Sequence, residues 1–329
     1  MSSTEFRQGG AVPSDHQVIL VTGAAGQIGT DLVASLRTIH GNDRVIAGCR
    51  KTQPDASIAE TGPVEYLDAI KRDQVEAVVA KYGVTTIYNL ASILSGEAEQ
   101  NPDLAWKINL GSHKTILDVA VAGKLSQVFW PSSIAVFGGN TPQDNTPQRT
   151  ILEPESMYGV TKVAGENLSH YYFDKFNLDV RSLRYPGLIT VKKFSGGGTS
   201  DYTVEMLLSA LAGKPYKCFV RPDTVMPLMA MEDAVDATIA VMQAPAARIS
   251  IRTSYNLAAL SFTAAALEAE IKKHVPDFSC TYEPDFRQTI ADSWPNSIDD
   301  SAAREDWNWR ERISLDRLVA DILQTGRAP

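Results

Sequence analysis

The chain has 329 residues, 44% of them hydrophobic and 21% charged, which is enough apolar material for one large domain or two closely joined ones. A net charge of −8 argues against nucleic acid or an anionic membrane as partner, because phosphate contact needs clustered Lys and Arg. The three cysteines, Cys49, Cys218 and Cys280, are far apart and odd in number, which reads as free thiols in a reducing compartment. No apolar run nears the roughly 20 residues of a membrane span. Residues 1–16 lack the apolar core of a secretion signal and read as a disordered tail. The expected location is therefore intracellular, in cytosol or mitochondrial matrix.

In chain order, Gln17–Thr22 is a short apolar run before glycines and reads as a buried strand. Gln27–Ile39 is helical in pattern, with Ile28, Leu32, Val33 and Leu36 on one face. Strands are expected at Arg44–Gly48, Val64–Leu67, Thr85–Ala91, Gln127–Pro131 and Asp179–Tyr185. Helices are expected at Ala69–Tyr82, Asp103–Ala122 and Met157–Phe176. This alternation predicts an α/β fold, a doubly wound parallel sheet over 17–186. Ligands meet such a sheet at the carboxyl ends of its strands. After Pro186 the pattern changes. KKFSGGGTSDY is a polar, glycine-rich loop, Tyr202–Ala212 looks helical, and the tail is rich in Pro, Trp and acids. Residues 187–329 are read mainly as a smaller substrate domain, with segments near 230–260 returning to the sheet as a helix and a strand.

Gly23, Gly26 and Gly29 in TGAAGQIG lie between the first strand and the first helix. Glycine permits a tight turn and close approach of backbone, and the helix start offers unpaired N–H groups and a favourable dipole. That arrangement fits a dinucleotide pyrophosphate. The usual ribose anchor is an acid at the end of the second strand. Here AGCRKT puts Cys49 and Arg50 there. An Arg can accept the extra phosphate of NADP or stack on adenine. Asp68, expected at the end of the third strand, suits either an adenine contact or a helix cap.

YGVTK places Tyr158 and Lys162 four apart at a helix start, hence on one face. A free tyrosine, with a pKa near about 10, is a poor base at neutral pH. An adjacent ammonium lowers that pKa, and a serine hydroxyl can orient a substrate oxygen. Ser133, at the end of the fifth strand in FWPSSIAVFG, fits the second role; Ser132 reads as a strand-end hydrogen bonder. Tyr171 and Lys175 repeat the spacing deeper in the same helix without such a serine. They are read as packing and as a solvated surface cation. The set is the equipment of an oxidoreductase that moves a hydride to a nicotinamide.

Together these residues resemble the extended short-chain dehydrogenase/reductase family. NLAS at 89–92, WKINLGS, PSSIAVFG, YGVTK and RYPG follow in the family order. The resemblance implies a Rossmann domain with NAD as cofactor. Its contacts would be Gly23, Gly26, Gln27, Ile28, Gly29, Arg50, Asp68, Ala69, Leu90, Ala91, Asn109, Tyr158, Lys162, Tyr185 and Leu188. The family usually carries an Asp near Cys49–Arg50, so the chain departs there. It usually dimerises through helices equivalent to Asp103–Ala122 and Met157–Phe176, implying a homodimer.

The C-terminal stretches GGGTSDY, YKCFVRPDTVMPLMAMEDAVDAT, SYNLAALSFT and PDFRQTIADSWPNSIDDSAAREDWNW resemble the short-chain type of L-threonine 3-dehydrogenases. That likeness implies oxidation of a small amino-acid substrate at its 3-hydroxyl. Ser95, Gly96, Ser133, Tyr158, Thr199, Asp201 and Trp294 would form the pocket, and Gly197 and Gly198 would give its loop freedom to close. Asp201 would meet an ammonium; the alternatives are an acid at a helix start for Asp201 and a core residue for Trp294. Two other readings stay open. One is a nucleotide-sugar epimerase or dehydratase, which should carry extra basic residues in its C-terminal domain. The other is a dinucleotide-sensing regulator without catalysis. No ligand-like spacing of His and Cys is present, so no metal is expected.

Overall fold

The computed structural model describes residues 17–192 and 198–325. The expected tail 1–16 and Gly197 lie outside the described residues. The chain begins β1 (Ile19–Thr22), α1 (Gln27–His40), β2 (Val45–Cys49), α2 (Ala56–Ala59), β3 (Val64–Tyr66), α3 (Arg72–Tyr82) and β4 (Thr86–Asn89). Next come α4 (Ser95–Gln100), α5 (Pro102–Ala105), a π-helical turn (Trp106–Leu110), α6 (Gly111–Ala122), β5 (Gln127–Ser133), α7 (Met157–Phe176) and β6 (Asp179–Tyr185). The remainder is β7 (Gly187–Ile189), α8 (Tyr202–Leu211), β8 (Tyr216–Cys218), β9 (Val225–Ala230), α9 (Met231–Gln243) and β10 (Tyr255–Asn256). It ends with β11 (Leu260–Thr263), α10 (Ala264–His274), β12 (Cys280–Tyr282), α11 (Arg287–Asp292), α12 (Ser301–Trp307) and α13 (Leu315–Thr325).

Seven strands form one parallel sheet in the order β10-β6-β5-β4-β1-β2-β3. Its central strands are buried on both faces, which is why β1 (ILVT) and β2 (VIAGC) read as unbroken apolar runs. One face packs against α1, α9 and α12, through Leu32, Val33, Leu36, Val235, Val241 and Trp307. The other packs against α3, α6 and α7, through Val75, Val78, Ile116, Leu117 and Tyr172. Strand order reverses between β1 and β4, so the crevice of a doubly wound sheet opens at their carboxyl ends. Beyond β6, β11-β9-β7 form a three-stranded sheet and β12-β8 a parallel pair. These rest on a separate core built from α8, α10 and α13, including Tyr202, Leu207, Leu267 and Ile322. Segment α9–β10 returns to the main sheet, where β10 pairs with β6. Among the described residues no helix is long and apolar enough to cross a membrane.

Two helices differ from the sequence expectation. α3 starts at Arg72 rather than Ala69, because Asp68 closes a turn first: its Oδ1 accepts the Ile70 N–H at 3.2 Å and its C=O the Lys71 N–H at 2.8 Å. The long helix expected over Asp103–Ala122 is divided by the π-helical turn, which lets the buried Asn109 side chain serve other partners. Tyr171 is a third correction. It is 52% exposed, and its neighbour Tyr172 is the one buried against the sheet.

α7 lies on β5 through Gly165. A Cβ there would come within 2.2 Å of the Trp130 ring, which is itself 1% exposed. Gly165→Ala should therefore overpack this contact and cost roughly 1–3 kcal/mol. Urea unfolding is the check; a variant as stable as the parent would show that the β5–α7 contact yields freely.

Candidate active site

β1 ends at Thr22, and the chain turns at Gly23 with φ +71°, in the left-handed region. A Cβ at Gly23 would lie 2.9 Å from the Leu90 carbonyl carbon, and one at Gly29 would lie 2.4 Å from the Gly23 oxygen. Both positions thus require glycine. Gly26 is the N-cap of α1 and has no side-chain cap, and the first turn holds no acid. The turn borders a cleft of about 320 Å³ that Gly23, Gly26, Gln27, Ile28 and Gly29 line. This is an anion-binding helix start of the kind a dinucleotide pyrophosphate needs, so the residues present fit that cofactor.

Across the same cleft stand Ser133, Tyr158 and Lys162, with Leu90, Ser95, Tyr185, Leu188, Thr199, Asp201 and Trp294. Ser133 is the last residue of β5, and its Oγ accepts the Ala135 N–H at 3.2 Å. Tyr158 is in the first turn of α7. Burial pushes its phenol up to about 12, against a hydrogen bond from Ser133 that lowers it. Lys162 is 1% exposed; burial pulls its ammonium down to about 7, and the Glu166 carboxylate acts to raise it. Its Nζ donates to the Pro131 carbonyl at 2.7 Å and lies 4.6 Å from the Trp130 ring centre and 5.1 Å from that of Tyr158. His113 stacks on Trp130 at 4.5 Å. Burial first, and Lys162 second, hold His113 down at about 3, so it stays neutral.

Beneath the lysine is a buried network that sequence reading missed. Glu166, one helical turn on from Lys162, takes two hydrogen bonds from Arg184, at 2.9 and 2.7 Å. It also accepts from Ser132 at 2.6 Å, which gives Ser132 the strand-end role expected of it. Arg184 continues to Asn256 Oδ1 at 3.0 Å and to the Gln148 carbonyl at 3.1 Å. The one signal in the sequence was Glu166 at four residues from Lys162.

The remaining expected residues divide. Arg50 and Asp68 line a second cleft with Lys51, Tyr66, Leu67 and Gln74, at the ends of β2 and β3. Ala69, Ala91, Asn109 and Gly96 line neither cleft. Asn109 accepts the Ile93 N–H at 2.8 Å and donates to Thr161 at 3.3 Å, tying the segment after β4 to α7. Asp201 Oδ2 accepts the Gly198 N–H at 2.6 Å, so it also holds the loop that carries it. Trp294 both lines the cleft and packs with Ile134, Val136, Phe137 and Ile298. Ser92, Leu94, Pro131, Ile134 and Ser200 are lining residues that the sequence did not single out.

A crevice at the sheet's switch point, a glycine turn, and a Ser, a Tyr and a Lys facing it define an α/β dinucleotide-type site. The chain belongs to the NAD dependent epimerase/dehydratase family, whose model matches residues 19–258. An uncharacterised epimerase/dehydratase of Staphylococcus haemolyticus is 45% identical over 307 residues, 93% of this chain and 96% of that one. Among solved structures, a GalE-like L-threonine dehydrogenase from Cupriavidus necator in its holo form is 45% identical, with a TM-score of 0.90, covering 94% of this chain and 99% of its own. L-threonine dehydrogenase from Clostridium difficile is 42% identical, with a TM-score of 0.91 over 94% and 97%. A metagenomic L-threonine 3-dehydrogenase at 42% identity is described as monomeric, so likeness alone does not fix a homodimer.

The buried Glu166–Arg184 pair yields a prediction. Glu166→Ala leaves Arg184 charged and without its carboxylate, and should cost about 3–5 kcal/mol of stability, read from chemical unfolding. A loss below about 1 kcal/mol would show that Asn256 and Gln148 suffice for the guanidinium.

Proposed function

We propose that this protein oxidises L-threonine at its 3-hydroxyl to 2-amino-3-ketobutyrate, using a nicotinamide dinucleotide and no metal. The observation that carries the reading is the charge content of the main cleft. Among the described residues its charged lining side chains are Lys162 and Asp201. A nucleotide sugar would bring a diphosphate and would need further cations. A small zwitterion needs one carboxylate for its ammonium, and donors such as Thr199 and the loop amides for its own carboxylate. The solved structures named above support the same substrate class. Among the described residues no three His, Cys, Asp or Glu side chains gather as a metal site.

Bound NAD would supply the hydride acceptor, held by the Gly23–Gly29 turn. The C3 hydrogen leaves as hydride and the hydroxyl proton goes to Tyr158, so the carbinol becomes a ketone. Ser133 hydrogen-bonds the reacting oxygen and keeps it within reach of Tyr158. Lys162 places a positive charge beside the phenol ring and favours its deprotonated form. A tyrosine pushed up to about 12 is mostly protonated at neutral pH. Alcohol oxidation should therefore speed up as pH rises toward that value, because the phenolate fraction grows.

The direct test is absorbance at 340 nm with L-threonine and, in parallel, NAD or NADP, in the presence of a chelator. Steady formation of NADH or NADPH is expected; the absence of both would retire threonine as substrate. Tyr158→Phe should lower kcat by about two to four orders of magnitude with cofactor affinity nearly unchanged. Near-normal turnover in that variant, or a wild-type rate that falls steadily from neutral to alkaline pH, would remove Tyr158 as the base. Asp201→Asn should raise the threonine KM much more than it changes NAD affinity. Equal effects on both would leave Asp201 as a loop-holding residue only.

A further inference from the structure

The second cleft, at the carboxyl ends of β2 and β3, takes no part in the chemistry just described. It is lined by Arg50, Lys51, Tyr66, Leu67, Asp68 and Gln74. Its place follows from the sheet. β1 and β2 run in register with Thr22 opposite Gly48, and the Ala24 N–H bonds the Gly48 carbonyl at 3.1 Å. The glycine turn and the end of β2 are thus tied side by side. A dinucleotide whose pyrophosphate lies on that turn, with its nicotinamide over β4 and β5, has its adenosine ribose over the end of β2.

What meets the ribose is unusual for an NAD site. Where a carboxylate would take two ribose hydroxyls, β2 ends in Cys49, buried in the core, followed by Arg50 and Lys51. Both cations are exposed and, among the described residues, neither has an ion pair or a side-chain hydrogen bond. The nearby acids are otherwise engaged. Glu65 on β3 binds Lys81 and Tyr82, each at 2.6 Å. Asp68, the one carboxylate lining this cleft, accepts the Ile70 N–H. An acid at the ribose would repel a 2′-phosphate; two unpaired cations attract one, and the guanidinium fork matches phosphate oxygens.

We infer that Arg50 and Lys51 form a 2′-phosphate site, so that this cleft binds NADP more tightly than NAD. The inference rests on the dinucleotide reading of the glycine turn but not on threonine as substrate. It is tested by isothermal titration of the full-length protein with NADP and with NAD, without any second substrate. The wild type should bind NADP at least about tenfold more tightly, as one charge-assisted contact supplies. That advantage should shrink as salt is raised, since the site is exposed. Arg50→Ser combined with Lys51→Ser should weaken NADP by a similar factor and leave NAD within about twofold. Unfolding temperature without ligand checks that the variant is folded. Equal affinity for the two dinucleotides in the wild type would overturn the proposal, as would an equal loss for both in the variant. Failure of either dinucleotide to bind would instead fall on the reading of the glycine turn, and failure to oxidise threonine would leave the titration untouched.

Discussion

An ammonium kept almost wholly out of water is the constraint around which the catalytic half of this molecule is arranged. Lys162 is 1% exposed, and burial pulls its ammonium down to about 7. Three features hold the charge in place: the Pro131 carbonyl, the face of the Trp130 ring, and the Glu166 carboxylate below. Each of these needs support of its own. Trp130 lies flat because Gly165 leaves room on one side and His113 stacks on another. Glu166 is tolerated in the interior because Arg184 and Ser132 saturate it. Arg184 in turn reaches Asn256 on β10, a strand more than seventy residues away in the chain. The return of the C-terminal region to the sheet is thereby part of the site's foundation.

The phenol and the ammonium are moved in opposite directions by the same burial. Tyr158 rises to about 12 and Lys162 falls to about 7, each shifted toward its neutral form. Positive charge entering the cleft would favour the phenolate, and an oxidised nicotinamide carries such charge. Desolvation is what holds the phenol protonated, and positive charge brought into the cleft would act against it.

The fold was legible because its elements advertise themselves. Parallel strands covered on both faces show as apolar runs, and α1 shows as a 3.6-residue stripe. Ser133, Tyr158 and Lys162 were legible because a strand end and a helix start fix where they point. The support beneath them was not. Glu166, Arg184 and Asn256 are ordinary residues in sequence, and only the packing of α7 over β6 and β10 brings them together. Asn109 shows the opposite error of attention. It stands out in a motif associated with the cofactor, yet its amide is spent on Ile93 and Thr161. The short strands β7, β8, β11 and β12 were not read from the sequence.

The fold by itself says little about substrate. UDP-glucose 4-epimerase from Thermotoga maritima shares the architecture at a TM-score of 0.82 with only 19% identity. The sheet and the glycine turn position a dinucleotide in any such protein. What distinguishes one chemistry from another is carried by segments inserted after β6. Here these are the loop through Gly198–Asp201 and the stretch around Trp294, which line the cleft together with Ser133 and Tyr158. Trp294 and Ile134 narrow that space with apolar surface, and Asp201 is fixed by the Gly198 amide. Segments of this kind, rather than the sheet, set which ligand such a cleft admits. An epimerase must let a sugar turn over within its pocket, whereas a dehydrogenase gains by holding one carbinol still.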